Sequence, residues 1–329
     1  MTTSAPAPLS VADMTLRPAT LEDAAFASDV ATAAQPRDPE DPLLWRNWWK
    51  DEELVLQVER FIVWLEGRAV GFALRRHPSE ASERFERLSA ELLPPARTTA
   101  RLQALLALLE SRAAAEGARR FTAWAWDRDG LLNGALAKRG FREERRQRYW
   151  ELHLGRNRER LERMTSDSRE RMRAQGIRIL TVAEDDDPEK YQKLWRMTDE
   201  AERDIPRSTP FVASPFHAFM EWMRSPGLRE DRTWIARVGD SIVGISVLSY
   251  PPVRGNVATD WTGTARSARG QGVARALKCE TVLQAIDLGV ASVRTDNDYQ
   301  NAPILHLNES MGYEPLGEKV MYLKRAEGW

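Results

Sequence analysis

The chain of 329 residues repeats part of its own pattern at a spacing of 172 positions. Four residues recur in one register, so that Arg97, Gly117, Gly140 and Phe141 are followed 172 positions later by Arg269, Gly289, Gly312 and Tyr313. Each copy reads as a strand, one or two helices, an antiparallel hairpin with a third strand, a long helix, a strand, a short helix and closing strands. The repeat therefore predicts two copies of one mixed α/β unit.

The repeat also sets the predicted boundaries. The first domain is expected at 14–154 and the second at 177–327. Between them, 155–176 is predicted to be a linking helix, because 156–174 is charged, rich in helix formers and free of Gly and Pro. The Ala- and Pro-rich leader 1–13 is predicted to be disordered.

Composition excludes several classes of function. The net charge of −1 offers no field that would attract nucleic acid or an anionic membrane. The Arg-rich stretches 142–148 and 156–163 are interleaved with glutamates, as is typical of solvated surfaces. No run of eighteen apolar residues is present, and the leader has no basic residue, so we expect a cytoplasmic protein. The expected oligomeric state is a monomer or a homodimer.

Cysteine and histidine usage argues against a metal site. Cys279 is the single cysteine, which excludes an internal disulfide, and the four histidines are scattered. Cys279 falls on the apolar side of a predicted helix, where a small buried side chain is favoured over a nucleophile. We expect no metal.

A glycine turn is the strongest candidate for a binding site. The segment 269–274 reads Arg-Gly-Gln-Gly-Val-Ala, after an extended segment at 257–265 and before an amphipathic helical run at 273–288. Such a turn directs several unpaired backbone N–H groups and the positive end of the helix dipole at one point, which suits a pyrophosphate. The spacing differs from the P-loop and from the dinucleotide-binding fingerprint.

Downstream residues complete a recognisable pattern. After Thr295-Asp296-Asn297 come Asn301, Asn308 and then Met311-Gly312-Tyr313. With the glycine turn, this order resembles the GNAT superfamily of acetyl-CoA-dependent N-acetyltransferases over 257–313. The whole chain is similar to the two-domain members of that superfamily, among them the mycothiol synthases.

The resemblance implies an acetyl-CoA site in the second half. The diphosphate would be held by the backbone from Gly270 to Arg275, with Arg269 ordering the loop. The pantetheine arm would pair like an added strand with the strand before the loop, as other peptides and ligands extend a sheet. The implied cofactor-binding residues are Thr262, Gly263, Thr264, Arg269, Gly270, Gln271, Gly272, Val273, Ala274, Arg275, Asn301 and Asn308.

Acetyl transfer to an amine needs a base, because a protonated amine does not attack. Asp296 ends the strand after the long helix, where some members of the superfamily carry a catalytic acidic residue. Asp260 lies one strand earlier and, by alternation, shares a face with Thr262. Either carboxylate is a candidate, acting directly or through a water. Asn308 stands where many members carry a tyrosine acid, so either it contacts the sulfur or the thiolate leaves unassisted.

The first half departs from this pattern. Thr98 and Ala100 stand at the register of Gly270 and Gly272, and their side chains would hinder a pyrophosphate. Trp124 replaces Asp296 in that register. The first half is therefore predicted to keep the fold without the cofactor site, with Trp124 and Trp126 either packing in the core or filling the vacated cleft.

The acceptor is expected to contact the variable helices after 190. Carboxylates beside aromatic residues suit a cationic primary amine with an apolar body, although an ordinary acidic helix face has the same composition. The candidate substrate-binding residues are Glu200, Asp204, Phe211 and Trp222.

Two alternatives to this acetyltransferase stay open. One is a protein that senses acyl-CoA without turning it over. The other is acetylation of an amine on a larger thiol-bearing conjugate.

Overall fold

Nine helices and thirteen strands form the part of the chain that a computed structural model describes, residues 9–79, 85–205 and 211–326. The helices are α1 (Ala24–Ala34), α2 (Pro42–Glu52), α3 (Thr99–Ala115), α4 (Gly130–Lys138), α5 (Leu154–Ala174), α6 (Lys190–Arg203), α7 (Phe216–Met223), α8 (Val273–Asp287) and α9 (Ala302–Met311). The strands are β1 (Leu9–Val11), β2 (Met14–Pro18), β3 (Leu56–Leu65), β4 (Arg68–Pro78), β5 (Phe85–Leu92), β6 (Arg120–Trp126), β7 (Arg142–His153), β8 (Arg178–Thr181), β9 (Thr233–Val238), β10 (Ser241–Ser249), β11 (Ala258–Thr264), β12 (Ser292–Asp298) and β13 (Glu314–Arg325).

All thirteen strands belong to one sheet. Their order is β1-β2-β3-β4-β5-β6-β13-β7-β12-β11-β10-β9-β8, and every neighbouring pair is antiparallel except β5–β6 and β11–β12. This confirms the predicted mixed α/β class with a mostly antiparallel sheet flanked by helices. The two parallel pairs are short, since β11 and β12 are paired only at Ala258 and Arg294. Beyond that point the strands diverge, and each half contains a cleft.

The closing strands of the two halves are exchanged. β13 lies between β6 and β7, with Val320 opposite both Ala125 and Arg146. β7 in turn pairs with β12 of the second half. Each half therefore completes the sheet of the other, a feature that the repeat did not reveal because hydrophobic alternation does not specify a strand's partner.

The helices cover both faces of the sheet. α3 and α4 pack on one face of the first half, where Leu88, Leu105 and Phe121 are buried. α1 and α2 pack on the opposite face around Trp49 and Phe72. In the second half α8 and α9 pack against β7, β12 and α5, whereas α6 and α7 belong to the cluster built on β9 and β10.

The predicted disordered leader differs from the structure at its end. Leu9–Val11 forms β1 and pairs with β2, with Leu9 opposite Leu16. Leu9 and Val11 pack against the core of the first half, and this apolar contact orders them. Residues 1–8 lie outside the described part of the chain.

Neither a membrane span nor a metal centre is present in the described ranges. No helix there is long and apolar enough to cross a bilayer. No three side chains of His, Cys, Asp or Glu in those ranges are grouped as metal ligands would be.

Candidate functional site

The glycine turn of the second half has the geometry of an anion site. Gly270 and Gly272 have φ angles of +74° and +92°, in the left-handed region that glycine adopts without strain. α8 begins directly afterwards at Val273, and no side chain caps its N-terminus. The first N–H groups of α8 therefore have no intrahelical partner and are available to a phosphate.

In the first half the helix at the same position, α3, has a side-chain cap at its N-terminus. α3 begins at Thr99, two residues before the register of Val273. Thr98 caps this helix, and its Oγ1 accepts a hydrogen bond of 3.2 Å from the N–H of Arg101. One of the donors that a phosphate would use is thus already occupied by the protein's own side chain.

Carboxylates stand around the arginine of the first half. Arg97 donates to Glu91 at 2.6 Å and to Asp129 at 2.9 Å. Asp129 also caps α4 by accepting from the N–H of Leu132. Asn301, at the register of Asp129, begins α9 without capping it. The side-chain amide of Asn301 is therefore not committed to the helix cap, whereas the first half carries negative charge at this point.

Two predicted substrate carboxylates hold the phosphate loop instead. Asp204 accepts from Arg266 at 2.6 Å and is 2.7 Å from Nη1 of Arg269. Glu200 accepts from the backbone N–H of Arg266 at 2.7 Å. Hydrogen bonds from Arg266 and Arg269 lower the pKa of Asp204. Both carboxylates tie α6 to the loop, and their role as acceptor ligands stays a prediction.

β11 presents an open edge to the cleft. Its inner edge is paired with β10, and the hydroxyls of Thr262 and Ser246 are 2.8 Å apart. On the other side its pairing with β12 stops at Ala258. Gly263 lies under the indole of Trp261, where an added Cβ would lie 2.2 Å from a ring carbon. The backbone from Thr262 to Thr264 is therefore free on the cleft side to pair with an extended ligand.

A β-bulge sets the position of Asp260. The β10–β11 ladder shifts register between Val247 and Leu248, so alternation is interrupted beside Asp260. Its carboxylate accepts a 2.6 Å hydrogen bond from the indole of Trp222 on α7, and does not share the environment of Thr262 as the pattern predicted. Burial raises the pKa of Asp260, and the Trp222 hydrogen bond opposes this in part. The equivalent β4–β5 ladder of the first half has no such shift.

Asp296 lies on the other wall of the cleft. It stands opposite Tyr149 in the β12–β7 ladder and remains accessible to solvent. Burial by the surrounding walls raises the pKa of Asp296, while Lys319 lowers it and Asp38 raises it. Ala258 and Arg294 are the last paired residues between β11 and β12. Asp260 lies two positions after Ala258, and Asp296 lies two positions after Arg294. Both candidate bases therefore border the region where the strands separate.

The remaining predicted residues have ordinary contacts. Asn308 is fully buried, donates to the side chain of Asn297 at 2.6 Å, and its Oδ1 accepts no hydrogen bond from the residues that the structure describes. The guanidinium of Arg203 lies 4.8 Å from the ring centre of Phe211. Cys279 is buried as expected, and burial raises the pKa of its thiol to about 11.

Lys278 on α8 is a buried cation that the sequence pattern did not identify. It is 2% exposed, and its Nζ lies 5.1 Å from the ring centre of Tyr313. Burial lowers the pKa of Lys278 to about 8. Its counterpart 172 residues earlier is Leu106, which lines the cleft of the first half. The sequence does contain a signal for this residue, namely that the second half has a lysine where the first half has a leucine.

The tryptophans of the first half line a cavity and do not fill it. Trp124 and Trp126 form part of the wall of a space of about 230 Å³ between β5 and β6. The interpretation that they fill the vacated cleft is therefore corrected.

Solved structures share this architecture. A tandem GNAT protein from the clavulanic acid biosynthesis pathway matches with a TM-score of 0.72 at 17% identity, over 96% of this chain and 99% of that one. A GCN5-related N-acetyltransferase from Sphaerobacter thermophilus matches with a TM-score of 0.62 at 16% identity, over 95% of this chain and 96% of that one. No protein-family model and no curated protein matches. The chain has the tandem GNAT fold, as its sequence resemblance predicted.

The glycine turn yields a direct test. Gly272→Ala forces a residue with a Cβ to a φ of +92°, which costs roughly 1–2 kcal/mol or moves the loop. We expect acetyl-CoA affinity to fall about tenfold or more, measured by calorimetry. The matched control is Ala100→Gly at the same register of the first half, which should leave the affinity unchanged. Comparable losses in both variants would contradict the assignment of the site to one half.

Proposed function

We propose that the protein transfers an acetyl group from acetyl-CoA to a primary amine of a small molecule, by direct attack in a ternary complex, in its second half. The observation that carries the proposal is the combination at one cleft of an uncapped helix N-terminus and an open strand edge. The first half has the same fold but neither a free helix N-terminus nor the bulge.

The chain's groups fit acetyl-CoA in three places. The N–H groups at the start of α8 would receive the diphosphate, with the loop held by Asp204 through Arg266 and Arg269. The free edge of Thr262–Thr264 would receive the amide groups of the pantetheine arm. A bulge next to that edge leaves backbone groups outside the ladder, where an N–H can stabilise the oxyanion that develops on the thioester carbonyl.

A carboxylate would remove the proton from the attacking ammonium. We favour Asp260, because it lies on the strand that would hold the arm and contacts Trp222 on α7. Asp296, on the opposite wall, is the alternative. The amine nitrogen then forms the amide bond as the C–S bond breaks, and the electron pair leaves on the sulfur.

Lys278 would return a proton to the departing thiolate. Its ammonium is buried beside the ring of Tyr313, at the register where the first half has a cavity-lining leucine. A pKa of about 8 suits a proton donor near neutral pH. Asn308, at the register of the superfamily's tyrosine, would serve to order Asn297.

The acceptor would enter beside α7. Trp222 is held by Asp260, and Phe216 and Phe219 stack near it with ring centres 6.4 Å apart. An aromatic wall next to a carboxylate suits a cationic amine with an apolar body. Glu200, Asp204, Phe211 and Trp222 remain the proposed substrate-binding residues.

A sensor that binds acyl-CoA without turnover is the second candidate, because Asn308 replaces the usual acid. Incubating the protein with acetyl-CoA and a panel of primary amines, while following free thiol, separates the two. Thiol release that depends on one amine supports the enzyme. Tight acetyl-CoA binding with no release from any amine supports the sensor.

Carboxylate substitutions test the assignment of the base. Asp260→Asn should lower turnover by roughly 10²-fold with acetyl-CoA affinity unchanged, since this is the usual value of general-base help. Because the carboxylate acts only when deprotonated, the rate should rise with pH through its raised pKa in the wild type and lose that rise in the variant. Asp296→Asn is the matched comparison, and a loss confined to that variant would move the base to β12.

Replacing Lys278 should separate stability from activity. The pKa of Lys278 is lowered in the folded protein, so the unfolded chain binds the proton more readily. This difference lowers the free energy of unfolding in full below about pH 8, and the effect disappears toward pH 10.5. Lys278→Met should therefore raise the free energy of unfolding at pH 7 by up to roughly 3 kcal/mol, with a smaller gain at pH 10. Turnover should fall. A variant with unchanged turnover would exclude Lys278 from the chemistry.

A further inference from the structure

The cleft of the first half contains a space, partly open to solvent, that the proposed reaction does not use. It measures about 230 Å³ and lies between β5 and β6, where these strands diverge after Arg87. Its apolar wall consists mainly of indole rings, together with Phe72 and Leu74. The tryptophans that line it are Trp45, Trp48, Trp49, Trp124 and Trp126.

Each acidic side chain of this wall already has a hydrogen-bond or ion-pair partner within the protein. Glu52 pairs with Arg76, and Asp38 with Arg294 at 3.2 Å. Glu40 accepts from the indole of Trp45 at 3.0 Å. The other two acidic residues that line the cavity, Glu91 and Asp129, hold Arg97.

Two cations of the wall have no such partner. Arg87 and Lys319 line the cavity, and their side chains form neither a hydrogen bond nor an ion pair with any residue that the structure describes. The guanidinium of Arg87 lies 5.9 Å from the ring centre of Trp124, and Nζ of Lys319 lies 4.9 Å from that of Trp126. At this part of the wall two cations without a hydrogen-bonded or ion-paired partner therefore lie against aromatic rings.

Strand pairing increases the repulsion at this point. Arg87 stands directly opposite Arg76 in the antiparallel β4–β5 ladder. Like charges in that position are destabilising, and the ion pair to Glu52 serves only Arg76. Burial lowers the pKa of Arg87, which reflects the missing counter-charge. An anion beside Arg87 would relieve both effects.

Size limits the anion to a small molecule. A cavity of about 150 Å³ holds benzene, so the space here admits one aromatic ring with a short substituent. Ligand pockets for larger molecules are typically about 300–1,000 Å³. At the helix N-terminus that would receive the diphosphate of acetyl-CoA, Thr98 already occupies one backbone donor.

We propose that the cleft of the first half binds a small aromatic carboxylate, with the ring against Trp124 and Trp126 and the carboxylate on Arg87, assisted by Lys319. The guanidinium provides a planar, charge-assisted contact for a carboxylate. The tryptophan wall provides the apolar and stacking surface for the ring.

The test uses benzoate as the probe and benzyl alcohol as its neutral counterpart, in calorimetric titrations of the full chain. We expect benzoate to bind with a Kd near or below about 1 mM and at least tenfold more tightly than benzyl alcohol. Saturating acetyl-CoA should leave this affinity unchanged, because the second site lies in the other half. The affinity for benzoate does not depend on turnover, so this experiment tests the proposed binding site separately from the proposed reaction.

Variants assign the contact. Arg87→Met should weaken benzoate about tenfold or more and leave benzyl alcohol unchanged, whereas Arg68→Met, on an exposed position of β4, should change neither. Lys319→Met provides a second variant if loss of Arg87 prevents folding. Equal affinity of the two probes for the wild type, no benzoate binding, or competition by acetyl-CoA would each overturn the proposal.

Discussion

The exchanged ladder between β7 and β13 supports both clefts. A strand that parts from its neighbour loses hydrogen-bond partners on that edge, and it stays in place only if its other edge is paired. β6 is held on its far side by β13, and β12 by β7. Because each supporting strand comes from the opposite half, the two clefts form parts of one sheet, and side chains such as Lys319 of the second half line the cavity of the first.

Small chemical differences on this shared frame distinguish the two halves at the point where we propose that a diphosphate binds. A threonine cap occupies one donor at the start of α3, and two carboxylates surround Arg97. At the same register the second half has glycines, an uncapped helix and Asn301. Each difference involves only a few kilocalories per mole, yet all of them act at the point where a diphosphate must approach within hydrogen-bond distance of the backbone.

The sequence predicted the parts of the structure that depend on local pattern. The 172-residue register, the mixed α/β class and the glycine turn before α8 follow from periodicity and glycine spacing. Contacts between distant segments did not follow. Nothing local indicates that Asp204 would reach Arg266 and Arg269, or that β13 would insert between β6 and β7. The bulge at Asp260 was not predicted, because alternation assumes a regular ladder. The burial of Lys278 was not predicted, because an isolated lysine in a helix normally faces solvent.

A crystal structure of the chain with acetyl-CoA tests the central claim most directly, namely that one half of a duplicated fold binds the cofactor. The account predicts one acetyl-CoA molecule, with its diphosphate at the N–H groups that begin α8 and its arm along β11. Acetyl-CoA at the start of α3, alone or in addition, would contradict it.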